Sequence, residues 1–280
     1  MDSQPPKTLP ASWYTSQPLY QLEQRAIFLK AWYLVGPIIK FKPDEDTHYE
    51  FASVSLTVRK HPETNTITAN SSTGDQVRTH PPPTGLCFTT ISPLAPSFHS
   101  YFPGLEDTLA AVDFTTRPYR RSISYPGRFN WKTMVDGYQE CLHCSYTHPA
   151  FSALYPPHSY AVVNHSNWSQ HFADPDKPGD GLFLYFFPNC TLNVYGGGMS
   201  LFRVCPMTRP GETRMEFDYF NIVEGEAFEE YYQFVRQVAK EDFELCEAAQ
   251  GNLERGVYAE GVLNPVKETG VACEFLPSFS

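Results

Sequence analysis

A chain of 280 residues with 41% hydrophobic and 15% aromatic content is long enough to bury a sizeable core, as one large domain or two. A formal charge of −10, with no cluster of Lys and Arg, argues against nucleic acid or anionic membrane as the main partner and leaves a small molecule. No apolar run approaches the roughly 20 residues that cross a bilayer, and MDSQPPKTLP lacks the basic-then-apolar pattern of a secretion signal, so a cytoplasmic protein with its seven cysteines reduced is expected.

Residues 1–10 are polar and Pro-rich and read as a flexible arm. From Leu19 to Trp32 apolar residues recur at helical spacing, with Leu19, Leu22, Ala26 or Ile27 and Leu29 on one side, which predicts an amphipathic helix. Tyr49 to Lys60 alternates apolar with polar residues and predicts a half-buried strand. Residues 61–85 hold turn formers and four prolines around one short strand candidate and read as loops, with His61, His80 and, further on, His99 most simply exposed. Beyond Arg121 the pattern is helix, then strands at 158–173, 181–188, 190–196, 199–206 and 213–223, then a helix from about Glu226 to Leu253. The Gly196–Gly198 run reads as a turn between strands. Strands in series between helices predict an α+β arrangement with the longer helix covering an antiparallel sheet.

The run "VDGYQECLHCSYTHPAF" carries two cysteines, two histidines and two acids, Asp136 and Glu140. Because His148 precedes Pro149, the helix carrying His143 is expected to end between the two histidines, leaving His143 on its last turn and His148 folding back from the connection. In the last long helix, rotation of 100° per residue gathers Tyr231, Val235, Val238, Leu245, Cys246, Ala249 and Leu253 around Asp242. A carboxylate on such a stripe needs a cation, hydrogen-bond donors or a metal; a salt bridge satisfies it as well as a metal does. Two histidines and one carboxylate make the facial triad of non-heme Fe(II) sites.

The run "FNWKTMVDGYQECLHCSYTHPAF" resembles the iron-binding segment of Rieske-type non-heme iron oxygenases, above all their choline and carnitine monooxygenase-like branch. The closing "KEDFELCEAAQGNLERGVYAEGVLNPVKETGV" is similar to the same family's Glu-Asp helix and its continuation. The resemblance implies a helix-grip catalytic domain at 101–280, with a curved antiparallel sheet and a long C-terminal helix, preceded by a truncated remnant of a Rieske domain at 11–100. It implies His143, His148 and Asp242 as ligands of a mononuclear Fe(II). Glu140 matches the acid that lies, in the family, between the iron ligand and the cluster of a neighbouring subunit, and Asp136 joins it as a catalytic candidate. Gly137 and Gln139 stand where relatives often carry asparagines, a departure that concerns support of the ligands.

The family also holds a [2Fe–2S] cluster on a Cys-x-His and a later Cys-x-x-His. Cys141-Leu142-His143 matches the first by letter only, no Cys-x-x-His follows, and Cys87 reads as core packing, so no cluster is expected. Three readings follow: an oxygenase fed electrons from outside, by a cluster-bearing subunit and reductase; a redox-neutral Lewis-acid enzyme; or a non-catalytic binding module. The resemblance further implies a homotrimer or a hetero-oligomer and makes an aromatic cage natural, for which Tyr146, Tyr155, Tyr185 and Phe187 are candidates, with core packing the default for each.

Overall fold

The computed structural model describes residues 5–173 and 181–274. Helices α1 (Ser12–Thr15) and α2 (Gln17–Ala26) lead into strand β1 (Trp32–Pro37). The predicted helix therefore stops six residues short of Trp32, because all six residues of β1 are buried and paired with a later strand, and burial on both faces outweighs helical periodicity. Likewise the single strand expected over 49–60 is a hairpin of β2 (Asp46–Phe51) and β3 (Val54–Lys60). Its turn is made by Ala52 and Ser53 at φ 48° and 68°, residues that carry none of the usual Asn-Gly signal.

The stretch read as loops is more ordered than its composition predicts. It forms β4 (Ile67–Ser71), β5 (Gln76–Val77) and β6 (Thr79–His80), each held by pairing to a neighbour rather than by its own propensity. With β7 (Leu86–Thr90) they complete two small antiparallel sheets, ordered β2-β3-β4-β5 and β1-β7-β6. Short helices α3 (Phe98–Tyr101) and α4 (Leu105–Leu109) connect them to β8 (Tyr119–Gly127).

After β8 come α5 (Trp131–Tyr138), α6 (Cys144–Thr147) and α7 (Pro149–Leu154). They are followed by β9 (Ala161–Asn164), β10 (Trp168–Phe172), β11 (Leu182–Phe186), β12 (Cys190–Tyr195), β13 (Gly198–Pro206) and β14 (Thr213–Asn221). The strand expected over 158–173 is thus two, β9 and β10, paired to each other. All seven strands form one antiparallel sheet ordered β8-β14-β13-β12-β11-β10-β9. Gly196 and Gly197, at φ 60° and 82°, make the β12–β13 turn as expected.

Helix α8 (Gly225–Glu254) lies against this sheet, and α9 (Thr269–Glu274) follows it. Phe243 meets Tyr125 edge-on at 5.3 Å, Tyr232 meets Tyr219 at 5.0 Å, and Arg236 donates to the Tyr125 hydroxyl at 2.7 Å. Tyr231, Val235 and Cys246 of the expected stripe are buried, whereas Leu245 is 42% exposed and Ala239 and Phe243 pack inward in its place. No helix among the described residues is long and apolar enough to cross a membrane.

A buried ionic network ties the small sheets to the large one. Asp218 of β14 accepts from Arg203 of β13 at 2.8 Å and from Lys40 at 2.7 Å, and it also accepts from the Ser122 hydroxyl. Burial alone would raise the Asp218 carboxyl, but the two cations override it and hold the group below the usual carboxylate range. A depressed carboxyl contributes stability above its unfolded value of about 3.9 and loses it as pH falls through the folded value. Asp218→Asn is therefore expected to cost about 3–5 kcal/mol at pH 7, where it strands two buried cations. In urea unfolding the gap between variant and wild type should narrow below about pH 4; a gap independent of pH would show that the carboxylate charge is not what holds the sheets together.

Candidate metal centre

The segment entering the centre is fastened before it arrives there. Asn130 caps α5, its side chain accepting from Lys132 N at 3.1 Å and donating to the carbonyls of Tyr14 and Pro210. Trp131 Nε1 and Lys132 Nζ both donate to Glu23 of α2, at 3.1 and 2.7 Å, with Glu23, Trp131 and Lys132 all buried. Burial pushes the Glu23 carboxyl up, and Lys132 opposes the shift. The Asn-Trp-Lys run thus fixes the start of α5, and Glu23, which carries no signal in the sequence, is its counterpart.

Helix α5 ends at Tyr138, earlier than expected, so His143 precedes α6 instead of riding the last turn of α5. His148 separates α6 from α7 at φ −120° and ψ 68°, non-helical as the following proline requires. The turn between α5 and α6 brings the Cα atoms of Cys141 and Cys144 to 5.1 Å, and the two are joined as a disulfide across His143. This corrects the expectation of reduced thiols for that pair; Cys87, Cys190, Cys205 and Cys246 are free and buried.

His143, His148 and Asp242 come together. Asp242 Oδ1 lies 2.9 Å from His148 Nε2 and 3.3 Å from His143 Nε2, and the three ligand atoms fall within 4.8 Å of one another. Behind each imidazole stands a second acid: His143 Nδ1 faces Glu140 Oε1, and His148 Nδ1 faces Glu241 Oε2 at 2.7 Å. With each Nδ1 held by a glutamate, both Nε2 atoms face the same point and are the nitrogens that would bind a metal on giving up their protons. Burial would raise the Asp242 carboxyl, but hydrogen bonds from both imidazoles hold it down at about 2. Burial would lower His143, but Asp242 and Glu140 carry it up to about 10. The donor set fits a divalent metal: cis ligands on bonds of about 2.1 Å lie about 3.0 Å apart, close to the two separations seen here.

The triad opens onto a cavity of about 90 Å³. Its walls are mainly aromatic, including Tyr138, Phe151, Phe183, Tyr195, Phe202 and Phe217, with Asn193, Ser200 and Glu140 as polar points. Among the described residues that line it, none is Lys or Arg. The four aromatics chosen from sequence are not in this wall: Tyr146 is 90% exposed, Tyr155 and Tyr185 pack in the core, and Phe187 packs partly buried against it.

Asp136 also lies outside the lining. It is half-buried one turn before Glu140, its Oδ2 accepting from Tyr14 Oη at 2.6 Å and its buried Oδ1 without a partner, and desolvation raises its carboxyl to about 7. His171 is buried between Tyr160 Oη at 2.7 Å and Gln139 Oε1 at 2.8 Å, and burial lowers it to about 3. Gln139 is thus part of a buried polar network; His165 stacks on Trp168 and His158 is exposed.

Gly137 lines the cavity, and a methyl group placed on it meets no heavy atom within 4 Å. Gly137→Ala is expected to raise stability by up to about 1 kcal/mol through helix propensity, while narrowing the space beside the triad. Thermal melting and ligand titration of the same variant check the two effects; a loss of stability would show that the position is crowded.

The model of the ring hydroxylating alpha subunit (catalytic domain) matches residues 114–175 and 162–273, more than half of the chain. The carnitine monooxygenase oxygenase subunit of Escherichia coli (strain K12) is 30% identical over 208 residues, covering 63% of this chain and 52% of that protein. The chloroplastic choline monooxygenase of Arabidopsis thaliana is 28% identical over 147 residues, 47% of this chain and 35% of the relative. The chain therefore spans about half the length of the E. coli relative, and less of the plant one. In three dimensions it is similar to the quaternary ammonium Rieske monooxygenase CntA in complex with L-carnitine, with a TM-score of 0.81 at 18% identity over 96% of this chain and 93% of that one. A naphthalene 1,2-dioxygenase bound to phenanthrene gives 0.73 at 12% identity, over 96% and 91%. These likenesses identify the fold as that of Rieske oxygenases, with the helix-grip α+β arrangement.

Proposed function

The chain belongs to the ring hydroxylating alpha subunit family through its catalytic domain, and from that premise we propose that it is a mononuclear non-heme iron oxygenase acting on a small organic molecule, with electrons supplied from outside the chain. One observation carries the reading: two imidazoles and a carboxylate converge at the end of an aromatic cavity, each imidazole backed by its own glutamate.

His143, His148 and Asp242 would hold Fe(II), leaving open positions for substrate-side ligands. When bound, iron supplies reductive activation of dioxygen. Glu140 and Glu241 orient the two imidazoles and favour the tautomer that binds metal. The aromatic wall binds the apolar part of the substrate and excludes water. Asp136 acts by position, holding α5 against Tyr14, and exchanges a proton near neutral pH without touching substrate.

The segment between β3 and β7 carries no Cys-x-His with a following Cys-x-x-His, so the reading assigns the cluster to another subunit or a separate carrier, with Glu140 as the entry point to His143. We read residues 11–100 as the remnant of a Rieske domain. The acids and aromatic rings of the cavity suit a small cation, and the absence of Lys or Arg among its described lining residues gives no counter-charge to a carboxylate. Choline-like cations are therefore expected to bind better than carnitine-like zwitterions.

The test is incubation of Fe(II)-loaded protein with trimethylammonium compounds under ¹⁸O₂, with and without a ferredoxin and its reductase. Labelled product that appears only with the electron carrier supports the reading. Turnover without dioxygen would replace it with a redox-neutral reaction at the same metal, and no turnover with metal bound would leave a binding module.

A further inference from the structure

Among the described residues two groups of side chains bring three ligand atoms together, and only one of them is the triad. The other is His80 at the end of β6, His99 on α3 and Glu106 on α4, whose ligand atoms also lie within 4.8 Å of one another. Glu106 turns one oxygen to each imidazole: Oε1 is 2.7 Å from His80 Nε2, and Oε2 is 3.3 Å from His99 Nδ1. The His80 ring is fixed from behind by Phe98, stacked at 3.9 Å and 21°, and from the side by Trp32, edge-on at 6.4 Å. His99 stands perpendicular to His80 at 5.3 Å, with its side chain 68% exposed. Arg78, which shares the adjoining cleft, is engaged elsewhere: its guanidinium donates to the carbonyls of Ala95 and Pro96 and lies over Trp32.

We infer that His80, His99 and Glu106 form a second, surface metal site for a zinc-class divalent ion. Two imidazole nitrogens and one carboxylate oxygen are the donor set of three-ligand zinc sites that complete their shell with water, whereas magnesium and calcium take oxygen ligands. The three residues come from three elements, β6, α3 and α4, so the ion clips the end of the small β1-β7-β6 sheet to the connection that runs on to β8. Metal binding is then stabilising, because the arrangement exists only in the folded chain. His80 is held by its ring neighbours, while among the described residues no side-chain hydrogen bond backs His99 as Glu140 backs His143, so this site is the weaker of the two.

The experiment uses the full chain without a histidine tag, stripped with chelator, in the Asp242→Ala background so that the triad does not contribute. Zinc retained after dialysis against a competing chelator is expected at about one equivalent. It should fall to none in Asp242→Ala/His99→Ala and in Asp242→Ala/Glu106→Gln, both changes at partly or largely exposed side chains that leave the core intact. Zinc at roughly 100 times its dissociation constant should raise the melting temperature of Asp242→Ala by on the order of 5 °C, and not that of the double variants. Absence of retained zinc in Asp242→Ala, or equal retention in the double variants, overturns the assignment. Because the triad is disabled throughout, neither outcome bears on the proposed iron site.

Discussion

Asp242→Ala and His143→Ala are each expected to abolish stoichiometric iron in protein loaded and purified anaerobically, where the wild type holds about one Fe(II) at the triad. Asp242 is the hub of the arrangement: its Oδ1 is the shared partner of both Nε2 atoms, so its removal takes away a ligand and the charge that draws the imidazoles together. Glu241→Gln gives a graded comparison. It keeps the size of the side chain but weakens the acceptor behind His148, and should lower metal affinity by about 10–100-fold without abolishing it. Anaerobic iron titration with melting curves on the same samples checks the series, since a variant that melts like wild type has lost the site and not the fold. Equal iron in wild type and Asp242→Ala would end the triad assignment. A loss in Glu241→Gln as complete as in Asp242→Ala would instead place Glu241 among the ligands.

The second large effect is expected far from the metal. Lys132→Met leaves the Glu23 carboxyl buried without its cation, and should cost about 3–5 kcal/mol in urea unfolding. Glu23→Leu combined with Lys132→Met removes both charges and should recover most of that loss, because apolar residues of similar size satisfy a dry site without a partner. The single variant is also expected to bind iron less tightly, since Trp131 and Lys132 fix the start of the helix that leads to Glu140 and His143. If the double variant were as unstable as the single one, shape and not charge would be holding α2 to α5.

These two expectations differ in how far they are legible from the chain. His148 and Asp242 stand out because each breaks a local rule, a histidine before proline and an acid within an apolar stripe, and the resemblance joins His143 to them. Glu140 comes from the resemblance, which matches it to the family's acid beside the iron ligand. Glu241, next to Asp242, was available to chemical logic, since an imidazole ligand needs an acceptor on its other nitrogen. Glu23 was not, because its partner is 109 residues away and nothing around it marks it as buried. The pocket aromatics failed for a related reason: in a chain this rich in rings, which ones face the cavity depends on the register of β11, β12 and β13, and register is a property of pairing.

What the sequence determined by itself was local and periodic. It carried the α+β order, the long last helix and the strands from 181 to 223, because helix period and alternation act within a few residues, whereas the grouping of His143, His148 and Asp242 as one ligand set was implied by the resemblance. Tertiary structure alone decided where α2 stops, that Ala52 and Ser53 turn a hairpin, and that residues 67–80 form strands. It also closed Cys141 onto Cys144, left Asp136 behind the cavity wall, and placed His80 and His99 on one carboxylate. In each of these, the deciding energy comes from burial or pairing against residues remote in the chain, and local propensities of a few tenths of a kcal/mol, by order of magnitude, give way to it.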